Sequence, residues 1–124
     1  MLLLPIFLSS CSMLNMGLQV RTKSYPNNSS SFESVWHGEF LYHNGKEISH
    51  LIFYEISPDK NFALYSNVTG LYLYSKKKSF KKILAKNVLG DPLEVLWLEN
   101  FCMVKIRTNE GVQKITVNLD TLES

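Results

Sequence analysis

Six lysines crowd into one short stretch, Lys76, Lys77, Lys78, Lys81, Lys82 and Lys86, with no acidic residue among them. They are six of the chain's thirteen Lys and Arg, and the remainder is seven basic against eleven acidic residues. The modest net charge of +2 therefore hides a polarised molecule. Ammonium groups at this density suit a phosphate-bearing surface, where each lysine held close to anionic lipid contributes ~1 kcal/mol. The same residues on an edge strand act as solvated charges that block edge-to-edge pairing.

The three histidines, His37, His43 and His50, fall in one predicted hairpin. A two-residue turn at Asn44-Gly45 sets Glu39 opposite His50, with His37 and His43 on the same face by the strand's period of two. Imidazole and carboxylate together suit zinc or copper, so His37, Glu39 and His50 are the metal candidates. Ligands must converge at ~2 Å, whereas residues two apart on a strand lie nearly ~7 Å apart. Hydrogen-bonded surface histidines are expected instead, with no metal and no cofactor. Cys102 alternates with Val104 and Ile106 and reads as a small buried hydrophobe, not a nucleophile. The chain carries no Gly-x-Ser-x-Gly, no His-Glu-x-x-His and no Gly-rich phosphate loop. Glu55, Asp59 and Asp91 have no evident partner, so no catalytic residue is assigned and no enzyme is expected.

The elements that would position these residues are strands. From Val35 onward short apolar runs alternate with turn signals, and no stretch shows helical apolar spacing. Strands are expected near 35–43 and 47–56 across Asn44-Gly45, whose tolerance of positive φ suits a type I′ turn. Ser57-Pro58-Asp59-Lys60 turns the chain into a strand near 62–66, and Gly70 marks the next reversal. Strands near 71–75 and 81–85 follow, and Gly90-Asp91-Pro92 then breaks the pattern before Leu93–Leu98. A final hairpin joins Phe101–Arg107 to Val112–Leu119, where Ile115, Val117 and Leu119 alternate with polar residues. The fold class is all-β, an antiparallel meander of about eight short strands, as a small up-and-down barrel or a sandwich. A hydrophobic fraction of 45% and 124 residues suffice for one domain, expected over 34–124, without disulfides. Leu18-Gln19-Val20-Arg21 alternates and remains unassigned.

The start of the chain has another character. Leu2-Leu3-Leu4-Pro5-Ile6-Phe7 is apolar, is preceded by no Lys or Arg, and is far shorter than the ~20 residues of a membrane-spanning helix. It is followed by Leu8-Ser9-Ser10-Cys11. This arrangement is similar to the lipobox of bacterial lipoproteins. The resemblance implies a signal peptide over 1–10, cleavage before Cys11, and diacylglycerol on its thiol with a further acyl chain such as palmitate on the new amino group. Two or three chains anchor stably where one is marginal. Ser12 after the cysteine, where Asp would direct retention, implies the outer membrane, with the protein facing the periplasm. Residues 11–33, which include Pro26-Asn27-Asn28-Ser29-Ser30-Ser31, read as a lipidated tether spanning roughly 25 Å.

Two looser likenesses concern the β region. Ile56–Ser66 with Gly70–Tyr74, and Gln113–Asp120, resemble propeller blades, while Trp36-His37-Gly38 opening a meander looks like small lipocalin-like barrels. The second fits the length better. Together these features point to a non-enzymatic, lipid-anchored envelope protein that binds another envelope component, most simply a protein. Lys76, Lys77, Lys78, Lys81, Lys82 and Lys86 are its candidate headgroup or partner contacts. The alternative is a carrier holding an apolar ligand or lipid inside a barrel. Nucleic acid is not expected as a partner, since exported proteins seldom meet it.

Overall fold

The computed structural model describes residues 17–26 and 35–122, and side chains outside 24–26 and 35–37. Ten strands are present among the described residues, all antiparallel to their neighbours and divided among three sheets. The chain divides into two compact units, Met1–Ile52 and Phe53–Ser124. The fold is all-β, as expected, and no closed barrel forms among the described residues. The breaks lie at Ile52, which interrupts the expected 47–56 strand, and at Lys86–Leu93, where Gly90 takes a φ of 77° and Pro92 lacks a ladder donor.

The first unit holds β1 (Leu18–Pro26), β2 (Val35–His43) and β3 (Lys46–Leu51) in that spatial order. β1 falls inside the segment expected to be a tether. Its alternation at Leu18–Arg21 is the start of nine residues paired with β2. Asn44 and Gly45 adopt φ of 55° and 79°, as a type I′ turn requires. Past the turn, however, the β2–β3 register slips between Leu41 and Tyr42, so Phe40 faces His50 and Glu39 faces Leu51. A bulge of this kind moves every later side chain to the other face. Leu41, His43 and Leu51 are buried.

The second unit holds β4 (Phe53–Ile56), β5 (Phe62–Asn67), β6 (Gly70–Ser75) and β7 (Phe80–Ala85) as a four-stranded meander. β8 (Glu94–Trp97), β9 (Phe101–Thr108) and β10 (Gly111–Asn118) form a three-stranded one. Their inner faces share one core. Leu64, Leu71 and Leu73 from the first sheet meet Cys102, Val104, Ile106 and Val117 from the second, all without solvent exposure. Full burial of each leucine stabilises by ~2 kcal/mol relative to exposure. Leu119 and Leu122, in a turn capped by the Asn118 side chain on the N–H groups of Asp120 and Thr121, extend this core beyond β10.

Gly70 is the tightest backbone position in the unit. Its φ is 153°, and a Cβ there would lie 2.5 Å from the Ala85 carbonyl oxygen of the neighbouring strand. Only glycine lets β6 start against β7 at this distance.

Candidate functional site

The loops at one end of the Phe53–Ser124 unit build the most feature-rich surface. The β4–β5 turn is organised by Ser57, whose Oγ donates to Asp59 Oδ1 at 2.6 Å and accepts from the Phe62 N–H at 3.0 Å. Lys60, with a φ of 64°, closes the turn through its N–H to the Ser57 carbonyl at 2.9 Å. Asp59 also accepts from the Asn61 N–H and side-chain amide, at 3.0 and 3.2 Å. Hydrogen bonds from Ser57 and then from the Asn61 backbone favour the ionised form, so they hold the Asp59 carboxyl below its ordinary range.

Across from this turn stands Trp97 on β8. Its indole N–H donates to Glu55 Oε2 at 2.6 Å, tying β8 to β4 across 42 positions of sequence. A charge-assisted bond of this length fixes the ring's position and satisfies its one polar atom. Between them lies a cleft of about 320 Å³ lined by Ser57, Pro58, Asp59, Trp97, Leu98, Glu99 and Leu119. A smaller cleft of about 170 Å³ adjoins it, sharing Asp59, Glu99 and Leu119 and adding Lys77, Lys78 and Asp120. At the opposite end a third, of about 300 Å³, lies among Leu84–Asn87, Thr108–Glu110 and Gln113.

The lysine series does not assemble into one patch. Lys76, Lys77 and Lys78 occupy the β6–β7 turn, where Ser79 takes a φ of 49°. Lys78 Nζ is engaged with the Asp120 carbonyl oxygen at 2.6 Å, and Lys77 is close enough to Asp59 to act on its charge. Lys81 pairs with Tyr74 and sets its ammonium 5.4 Å from the Tyr72 ring centroid. Lys82 pairs with Leu73 and so belongs to the other face of β7. Lys86 follows the far end of the strand, roughly 20 Å from the turn at ~3.3 Å per residue. Acids distant in sequence thus sit beside the turn lysines, which the acid-free run did not foreshadow.

The histidine–carboxylate grouping dissolves with the register. His50 packs edge-on to Phe40, ring centroids 5.3 Å apart, and lies over Gly38, whereas Glu39 belongs to the opposite face. His37 pairs with Ser24 in the backbone ladder, and its side chain lies outside the described residues. Among the described residues no three His, Cys, Asp or Glu side chains gather as a metal site would need. Cys102 is fully buried, and that burial pushes its thiol up to about 12. Cys11 and the residues around it lie outside the described residues.

The cleft residues Asp59, Trp97 and Glu99, with Glu55 behind the indole, were not legible as a group. Ser57-Pro58-Asp59 signals a turn, but nothing local links that turn to Trp97, because the link is a contact between two sheets. Comparison of the chain with family models, with characterised proteins and with solved structures finds no match.

Proposed function

We propose that the chain is a lipid-anchored protein of the bacterial envelope, held through Cys11 and presenting its β units as a non-enzymatic binding module for another envelope component. The observation that carries this reading is the apolar Leu2–Phe7 stretch ending in Leu8-Ser9-Ser10-Cys11. Ser12 after the cysteine favours the outer membrane, with the protein facing the periplasm. The partner is a protein, and the lysines of the β6–β7 hairpin supply contact to it or to lipid headgroups.

Two features of the Phe53–Ser124 unit support a binding module over a carrier of apolar ligands. Its two sheets bring apolar side chains together in one buried cluster, whereas a carrier lines a cavity there. Leu93, Leu96, Leu98 and Phe101, on and around β8, are 40% exposed or more, which is the apolar surface that a partner would cover.

Fractionation tests the anchor. The wild-type chain is expected in the membrane fraction and extracted only by detergent, and Cys11→Ala is expected in the soluble fraction. Identical partitioning of the two would remove the basis of this reading.

A further inference from the structure

We propose that the cleft between Trp97 and the Ser57–Asp59 turn receives an arginine side chain presented by the partner protein. This rests on the binding-module reading and names the chemistry by which the module would recognise its partner.

The lining divides into two parts. Pro58, Leu98, Leu119 and the half-buried Trp97 supply apolar wall, and Asp59 and Glu99 supply carboxylates. No lysine or arginine lines this cleft. Trp97 has spent its only donor on Glu55, so the indole offers π surface without a hydrogen-bond donor to favour an anion. The bonds from Ser57 and Asn61 favour the ionised form of Asp59, and its Oδ2 accepts from the Asn61 amide. Glu99 is exposed and forms no ion pair among the described residues. The cleft therefore combines fixed negative charge with an apolar, aromatic surface.

An occupant must bring a cation on an apolar stem. Guanidinium meets both demands, because it is planar, weakly hydrated, stacks on aromatic rings and donates in a fork to carboxylates. An ammonium is a compact, strongly hydrated point charge and would satisfy the carboxylates without using the ring. A phosphate or carboxylate ligand would meet like charge from the two ionisable residues that line this cleft, Asp59 and Glu99. The volume of about 320 Å³ is at the low end of the ~300–1,000 Å³ typical of small-molecule sites, which suits one side chain with its flanking backbone. Lys77 and Lys78 border the adjoining cleft, so the cation enters from the Trp97 side.

The test follows the indole N–H resonance of Trp97 in the full chain, with Trp36 as internal reference, during titration with N-acetyl-arginine amide. N-acetyl-lysine amide and N-acetyl-citrulline amide, the neutral isostere, are run beside it, and all three are repeated on Glu99→Gln. Arginine amide is expected to shift Trp97 saturably, with citrulline and lysine amides weaker by about fivefold and Glu99→Gln weakening the arginine probe by a similar factor. Citrulline or lysine binding as tightly as arginine, unchanged arginine binding to Glu99→Gln, or no response at Trp97 would each overturn the proposal. These outcomes do not depend on lipid at Cys11, so they fail separately from the fractionation test.

Discussion

Tyr65 sits in register between Tyr54 and Tyr72 on the four-stranded sheet, stacked against Tyr72 with centroids 5.4 Å apart. It is fully buried, and its hydroxyl has no hydrogen-bond partner among the described residues. Desolvation is the main cause that raises its ionisation to about 12, reinforced by the neighbouring tyrosines. A buried hydroxyl without a partner costs roughly 1–3 kcal/mol, whereas the ring around it is worth keeping. Tyr65→Phe is therefore expected to leave the fold intact and raise stability by about 1 kcal/mol, read as a higher urea midpoint at unchanged slope. A fall of more than about 1 kcal/mol would show that the hydroxyl is engaged. Cys102 shows the opposite case, a residue whose environment was readable in advance. Its alternation with Val104 and Ile106 announced an inward position, and all three are without solvent exposure.

Among the elements, the hairpins were written locally and the sheet boundaries were not. Asn44-Gly45, Ser57–Lys60 and Gly70 each turn the chain where the turn signals placed reversals, and strands lie between Phe62 and Ala85 and between Phe101 and Asn118 as expected, with alternate residues Cys102, Val104 and Ile106 buried on β9. The bulge near Leu41 carries no such mark, and it alone separates Glu39 from His50. β1 was obscured because it runs into Pro26 and the polar residues behind it, so that its apolar alternation is only four residues long. The β6–β7 pairing gives a direct test of how closely these strands approach. At Gly70 a methyl group would lie 2.5 Å from a backbone oxygen, on a φ of 153° that other residues rarely adopt. Gly70→Ala is expected to destabilise by about 2–4 kcal/mol, measured by thermal or urea unfolding. Gly111 also has a positive φ, 112°, but open space around it, so Gly111→Ala serves as the control and should cost less. Equal losses at the two positions would show that the close approach at Gly70 is not limiting.

At the scale of the molecule, an anchor proposed from a dozen residues precedes β strands whose Phe53–Ser124 unit holds a buried apolar core and an open cleft. Among the described residues no helix is long and apolar enough to cross a membrane. The three-sheet arrangement could not be read from the strands, because a meander of this length closes, stacks or divides according to which ladders continue. Lys86–Leu93 decides that point for β7 and β8. The cleft followed from the same stacking, since Glu55 and Trp97 meet only when the two sheets face each other. The most direct measurement of the central claim is the intact mass of the chain recovered from the membrane fraction of its host. The expected result is a chain that begins at Cys11, with diacylglycerol on the Cys11 thiol and a further fatty acyl group on its amino nitrogen. An unmodified chain that retains Leu2–Ser10 would contradict it.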